Sequence, residues 1–352
     1  MWEKSKQDQN VGNGATAAQA GRDVIINHGM SLAQMAEVIR EVRNITDNFT
    51  TEAMVKVEAR ASEFEASVLS KFKDATKTNA EAFRDPDFQL MLSDAQKAYA
   101  RSGDEAVKET LADIIARRSL AENQTRLALT LNDAAARAPK LTKTEFSILS
   151  LCYLARYTRA PSVGDPSMFA AYINQNFVPF TDEILTELPA YWHIESQSCG
   201  RLATGQINLM DVWRPNYAGV LGKGLPEQVI LDHTSEPAKG MILGTCMPCF
   251  RNATQLQPKA LTREVYHQKY DSSGIPPADL DNVWNAFEAS VPGGEDLYKI
   301  LEPEIPAIRK LFEKWGETPI KQLELNSVGI AIGHANASRV VGFAAPLDIW
   351  IK

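Results

Sequence analysis

A regular apolar stripe near the start of the chain restricts its fold more than any other feature. Between residues 32 and 72, apolar side chains recur with a period of about 3.6 residues, which is typical of a straight amphipathic α-helix. Ser31 and Gln34 form a capping box at the start of this pattern. The sequence therefore predicts a helix that begins at Ser31 and would be roughly 75 Å long if it continued to Ala82. The stripe consists of Leu32, Met35, Ile39, Val42, Phe49, Ala53, Val57, Ala61, Phe64, Val68 and Phe72.

Four polar residues weaken the middle of this stripe. They are Asn44, Thr46, Asp47 and Asn48. Side chains of these types hydrogen-bond to nearby backbone groups and so compete with the helix ladder. We therefore expect a break in the long helix at this point.

The residues before the stripe form a polar, glycine-rich arm, 1–29. Gly12, Gly14 and Gly21 each disfavour a helix. The β-branched run 24–26 favours a short strand, but an isolated hairpin of this size is only marginally stable in water. If the strands of the arm are ordered, they must pair with the body of the chain or with other copies. We therefore expect a homo-oligomer to which the arm contributes.

Helix start signals continue up to residue 160. Asp85 and Pro86 suit the N-cap and the first helical position, and Thr142 with Glu145 forms a second capping box. The segment 146–154 is apolar nearly all round, which predicts the most buried helix of the protein.

After Pro161 the sequence becomes rich in Pro, Gly, Trp and Asn, and the helical period fades. Short helices, loops and a few strands are expected there, and the chain should end in a helix followed by a strand. The predicted fold is mainly α, with a β-forming glycine-rich arm at residues 1–29, a helical domain at 30–160 and a small mixed α+β domain at 161–352. The expected C-terminal elements are a strand at 228–231, helices at 278–289, 305–315 and from 325 onward, and a terminal strand at 347–351.

Charge and cysteine content favour a cytoplasmic protein. The net charge of −7 lacks the basic field that drives non-specific nucleic-acid binding, so we expect no nucleic-acid partner. The polar start of the chain does not have the pattern of a signal peptide. The longest apolar run, 241–250, is too short to span a bilayer, so no membrane span is expected. Four cysteines in a chain of 352 residues suit a reducing compartment.

One C-x-x-C motif, Cys246 and Cys249, is the weak candidate for a metal site. A structural zinc ion requires four ligands, and the sequence contains no second close pair. We therefore interpret these cysteines as buried thiols that hold no metal, and we expect no cofactor.

His193, Glu195 and Cys199 are the weak candidates for catalysis. In a strand, Glu195 would share a face with His193, and Cys199 lies close in sequence. A Cys–His nucleophile pair requires the two side chains to converge in a cleft. No motif around Cys199 fixes such geometry, so we favour a non-enzymatic role.

The arm resembles a known assembly motif. The run Ala18-Gln19-Ala20-Gly21, followed by Val24-Ile25-Ile26, resembles the x-Q-x-G core of RHIM-like amyloid signalling motifs. Similar arms precede many bacterial defence and signalling proteins. The resemblance implies cross-β stacking of copies, although alanines replace the large aliphatic residues around the glutamine. The residues implied in self-assembly are Gln19, Gly21, Val24, Ile25 and Ile26.

The body of the chain looks like an uncharacterised bacterial protein family. The runs 85–87, 95–104, 138–142 and 327–332 carry that likeness. The body of the chain is predicted to have a helical half followed by a smaller half that ends in a helix and a strand. This layout is also similar to that of abortive-infection proteins of the alpha type. This resemblance implies a place in antiviral biology and no particular chemistry.

These features together predict a cytosolic, self-assembling interaction protein of bacterial antiphage defence. Assembly would use the arm and the long first helix as a coiled coil, and the partner would be a second defence protein or a phage component. One alternative is a DNA- or ligand-sensing regulator whose C-terminal helix and strand belong to a winged-helix-like unit. A second alternative is a Cys/His-dependent enzyme.

Overall fold

The protein is mainly α-helical, as predicted. A computed structural model describes residues 32–74, 76–343 and 345–352, and most of these described residues are helical. The α-helices are α1 (Leu32–Lys71), α2 (Pro86–Ser102), α3 (Glu105–Arg118), α4 (Arg126–Arg137), α5 (Lys143–Tyr157), α6 (Pro166–Asn176), α7 (Val178–Thr181), α8 (Leu188–Ser196), α9 (Leu209–Leu221), α10 (Glu227–Asp232), α11 (Lys239–Ile242), α12 (Arg263–Tyr270), α13 (Pro277–Ala289), α14 (Gly294–Leu301), α15 (Ile308–Glu317) and α16 (Ser327–Val341). Short 3-10 helices cover Ala80–Arg84, Ala138–Lys140, Glu236–Ala238, Leu243–Thr245, Pro319–Gln322 and Leu347–Ile349.

All strands in the described part of the chain follow residue 161, where the mixed α+β part was expected. They are β1 (Gly200–Leu202), β2 (Cys246–Pro248), β3 (Leu256–Pro258) and β4 (Leu323–Leu325). β1 pairs antiparallel with β4, and β2 pairs antiparallel with β3. The arm, residues 1–29, lies outside the described residues.

The chain divides into two compact units, residues 1–56 and residues 57–352. In the first unit the structure describes the N-terminal part of α1. The second unit contains one hydrophobic core, and the buried side chains of this core extend from Phe64 to Ile351. No helix in the described ranges is both long and apolar enough to cross a membrane.

The helix α1 is continuous, so the predicted break at residues 44–48 is wrong. Threonine hydroxyls in this region bond to the carbonyl one turn earlier instead of disrupting the ladder. Thr46 Oγ1 donates to Val42 O at 2.7 Å, and Thr50 Oγ1 donates to Thr46 O at 2.8 Å. The helix ends at Lys71 rather than at Ala82.

The start signals at Asp85 and Thr142 are confirmed, whereas the one at Ser31 lies outside the described residues. The Asp85 carboxylate accepts from Phe88 N at 2.9 Å at the start of α2, and Gly103 ends that helix with φ +63°. The Thr142–Glu145 capping box is complete, because each side chain accepts from the backbone N–H of the other residue. Local hydrogen bonding therefore sets these boundaries.

The helix α5 is the most buried, as predicted. Every residue from Glu145 to Ala155 is buried. It packs closely against α16, where a Cβ atom on Gly333 would lie only 2.7 Å from Leu149 O. Because only glycine fits there, the two backbones come into direct contact at the centre of the second unit.

Two strand predictions in the C-terminal half are wrong. Residues 228–231 lie in α10, since a short apolar run is equally compatible with a buried helix. Residues 347–349 form a 3-10 helix, in which Leu347 O accepts from Trp350 N at 3.1 Å. The winged-helix alternative therefore loses the terminal strand on which it depended. The helices expected at 278–289 and 305–315 correspond to α13 and α15.

Candidate interaction surfaces

The first candidate surface is an apolar face on α1. From residue 37 to residue 57, every described side chain of this helix is exposed, whereas Phe64 and Val68 further along the same stripe are buried. Phe49 is 64% exposed, which is unusual for so large an apolar side chain. The exposed apolar residues of this segment are Val38, Ile39, Val42, Phe49, Met54, Val55 and Val57.

The exposed segment has a heptad arrangement. Four apolar side chains and Thr46 alternate three and four residues apart, which places them on one seam, whereas Val38, Met54 and Val55 lie off it. The charged residues before position 50 lie mainly on the side of the helix opposite the seam. The segment is therefore amphipathic, although none of its described side chains belongs to the hydrophobic core. The seam consists of Ile39, Val42, Thr46, Phe49 and Ala53. The opposite face carries Glu37, Arg40, Glu41 and Asp47.

The second candidate surface is a groove of about 670 Å³ between α2 and α4, closed at one side by the 3-10 helix Ala138–Lys140. Small and apolar side chains line most of it, so it has room for a large side chain from outside. This lining includes Met91, Ala95, Ala98, Ala135, Ala136 and Pro139.

Leu90 and four charged residues of α2 border this groove. Leu90 is 68% exposed. Asp87 lies near the N-terminal end of the helix, Asp94 at its midpoint, and Lys97 and Arg101 on the C-terminal half. The helix therefore presents acidic charge beside one part of the groove and basic charge beside the other.

A buried arginine fixes the acidic part of the groove. Arg118 is 2% exposed, and its Nη2 donates to Asp87 Oδ2 at 2.8 Å. Asn132 Nδ2 donates to the same oxygen at 2.8 Å, and Asn132 Oδ1 accepts from Arg118 Nε at 3.0 Å. The hydrogen bonds from Asn132 and Arg118 hold the pKa of Asp87 below its ordinary value. Its carboxylate is therefore ionised and held in one position at neutral pH.

The structure pairs His193 with Glu145 instead of Glu195. His193 Nδ1 lies 2.7 Å from Glu145 Oε1, and His193 Nε2 lies 3.4 Å from Gln197 Nε2. The expectation that His193 and Glu195 share a strand face is wrong, because both residues belong to α8, and Glu195 Oε1 instead accepts from Leu202 N at 3.4 Å. Sequence reasoning assigned Glu145 only to a helix cap and missed this second contact.

Cys199 is a buried thiol. Its Sγ lies 3.6 Å from Gln197 O, and burial raises the pKa of the thiol to about 12. Among the described residues, the hydrogen-bond partners of the His193 ring are Glu145 and Gln197, and Cys199 is not one of them. The thiol therefore stays protonated at neutral pH, and its hydrogen-bond partner among the described residues, Gln197 O, is not a base that could activate it.

The Cys246–Cys249 pair is also buried. Cys246 begins β2, and burial raises the pKa of its thiol. Cys249 Sγ donates to Gly222 O at 3.3 Å. Over the described ranges, no three His, Cys, Asp or Glu residues form a group suited to a metal ion. The residues expected in self-assembly of the arm, Gln19, Gly21, Val24, Ile25 and Ile26, lie outside the described part of the chain.

Comparison with known proteins assigns a family but no activity. The model of one uncharacterised protein family matches residues 29–351, which is nearly the whole chain. The chain belongs to that family. No curated protein and no solved structure matches it. The matched range includes both candidate surfaces.

Proposed function

We propose that this protein is a cytosolic, self-assembling interaction protein of bacterial antiphage defence. Copies associate through the exposed apolar face of α1, and the arm contributes to the same assembly. The partner is a second defence protein or a phage component.

The exposed face of α1 is the observation that supports self-assembly. A heptad seam that includes Ile39, Val42 and Phe49 leaves several large apolar side chains in water, which disfavours an isolated segment. Pairing with the same seam of another copy would bury these side chains, in the manner of a coiled coil. Only the flanking Arg43 and Glu52 carry charge beside the seam between residues 38 and 55, so like-charge repulsion across it is small.

The setting in antiphage defence is supported by resemblance. The arm resembles RHIM-like assembly motifs, and the layout of the body is similar to that of abortive-infection proteins of the alpha type. The cytosolic location is supported by the cysteines, since all four thiols are free and buried.

The solution mass of the full chain tests the assembly. Phe49→Glu should lower the mass measured by light scattering, because a carboxylate in the seam would have to be buried without a partner. Thr51→Glu, on the opposite face of the same helix, is the matched control and should leave the mass unchanged. Equal masses for the wild type and the Phe49→Glu chain would refute assembly through α1.

The defence role has a separate test. A bacterial host that expresses the wild-type chain with its neighbouring genes should support fewer phage plaques than a host that expresses the Phe49→Glu chain. Equal plaque counts for wild type, Phe49→Glu and an empty vector across a broad phage panel would contradict the defence role.

A further inference from the structure

The outward face of α2 is complementary to itself. Asp87 and Leu90 precede Ala98 and Arg101 on this face, and the two members of each pair are three residues apart. If two copies of the helix cross antiparallel about a two-fold axis, the acidic half of each meets the basic half of the other. In the same alignment the protruding Leu90 meets the small Ala98.

We infer that α2 and the groove beside it form a second, two-fold symmetric interface between copies of this chain. Leu90 of each copy enters the groove of the other copy and contacts the lining around Ala98. Asp87 of each copy pairs with Arg101 of the other. This inference rests on the proposed self-assembly and adds a second interface to it, on a different helix from the α1 seam.

One register satisfies both contacts at once. Because Asp87 to Leu90 and Ala98 to Arg101 are equal steps along the helix, placing Leu90 opposite Ala98 also places Asp87 opposite Arg101. The two copies of Asp94 then lie near the axis, where each keeps Lys97 of its own chain at 3.3 Å. Lys97 therefore screens the one like-charge contact that the symmetry creates.

The buried network behind the groove makes this contact specific. Asp87 is held by Arg118 and Asn132, so its carboxylate loses little side-chain entropy when it meets a guanidinium. Arginine and carboxylate also form the strongest class of side-chain hydrogen bond.

A patch that contacts its own copy is the hallmark of a two-fold interface. Two such interfaces on one chain, α1 with α1 and α2 with α2, link copies into assemblies larger than a dimer.

A cysteine pair tests the register. In the full chain carrying both Leu90→Cys and Ala98→Cys, mild oxidation should give a covalent dimer on a non-reducing gel. The two positions of one chain are eight residues apart, about 12 Å along the helix, which is beyond the reach of a disulfide within the chain. All four natural cysteines are buried and are present in every variant, so any dimer that they form appears equally in the controls. Each single cysteine variant is a control and should stay monomeric on the gel.

The outcome of this experiment decides the register. A dimer band in the double variant that is absent from both single variants supports it. A double variant that gives no more dimer than the single variants overturns it.

The solution mass separates this inference from the proposed function. Leu90→Glu should lower the mass, whereas Leu129→Glu, at a 50% exposed leucine of α4 that does not line the groove, should not. Combined with Phe49→Glu, it should lower the mass below that of either single variant, because the double variant removes both helix contacts.

The single variants assign any failure to one interface. Equal masses for Leu90→Glu and Leu129→Glu, with a lower mass for Phe49→Glu, overturn the α2 interface and leave the α1 assembly intact. A mass that falls with Leu90→Glu but not with Phe49→Glu overturns the α1 assembly and keeps the α2 interface.

Discussion

Asn336 Nδ2 donates a hydrogen bond of 2.7 Å to Ser150 Oγ at a place where neither side chain is exposed to solvent. Ser150 Oγ in turn lies 3.2 Å from Gly333 O. These bonds join α5 to α16 beside Gly333, where the two backbones come close together. Polar groups buried in this way stabilise one relative position of the two helices, because any displacement would leave them without partners.

Removal of the Asn336 side-chain amide should lower the free energy of unfolding. Asn336→Ala leaves Ser150 without a buried donor and removes the acceptor of Arg339, whose Nη2 lies 2.8 Å from Asn336 Oδ1. The expected loss of unfolding free energy is about 1–3 kcal/mol, measured by urea denaturation. Asn174→Ala removes an exposed amide that bonds to Glu304 O and is the control. Equal losses of unfolding free energy for the two variants would show that the buried contact stabilises the fold no more than the exposed one.

Leu149 and Thr142 test how deeply α5 is buried. Leu149→Ala should cost about 2–5 kcal/mol, through lost transfer free energy and a residual cavity. Thr142→Ala should cost only about 1 kcal/mol, through loss of the N-cap bond. Urea denaturation of both variants gives the order of the two effects. A larger loss for Thr142→Ala would contradict the central position of α5.

Local signals in the sequence predicted much of the helical part. The caps at Asp85 and Thr142 depend on atoms within a few residues, and both are formed. The terminal segment failed because its conformation depends on distant atoms. Trp350 Nε1 donates to Tyr157 O at 2.6 Å, and no local pattern encodes that bond. The break expected in α1 failed for a different reason, since Thr46 satisfies its hydroxyl within the helix.

The candidate surfaces were predicted only in part. The apolar period of α1 is visible in the sequence, but which of its residues are buried depends on packing. The groove was missed because the residues that line it are far apart in sequence, as Asn132 is 45 residues from Asp87. The same holds for His193 and Glu145, which are 48 residues apart. Nothing in a single sequence links such positions.

His334 should make stability depend on pH. Its ring is buried, and burial together with the charge of Arg117 lowers its pKa to about 4 from an ordinary value of 6.5. The unfolded chain therefore binds a proton more readily between these values, so unfolding free energy falls as pH decreases from about 6.5 to 4, by about 3 kcal/mol in total. His334→Gln keeps a donor toward Ala345 O and should flatten this dependence in urea titrations at several pH values.

An exposed histidine is the control for this effect. His233→Gln should leave the slope of stability against pH between 4 and 6.5 unchanged. If the His334→Gln protein keeps the full wild-type slope, another group is responsible for it.

The thiols should be inert in the folded protein. All four cysteines are buried, and burial raises the pKa of Cys152 and of Cys199 to about 12. A thiol reagent should therefore label none of them at neutral pH until urea unfolds the chain. Elemental analysis of the purified protein should find no zinc at Cys246 and Cys249. Rapid labelling of native Cys199, or about one zinc per chain, would contradict these expectations.

Deletion of the arm tests its share in assembly. Residues 1–29 contain strand-forming runs that are too short to be stable alone, so their removal should lower the solution mass. Light scattering of the full chain and of a chain that begins at Met30 gives the comparison. The deletion should act in addition to Phe49→Glu, because the arm and the α1 seam would hold copies together through different contacts. An unchanged mass after deletion would restrict assembly to the helices, and a monomeric mass both before and after it would refute the proposed assembly altogether.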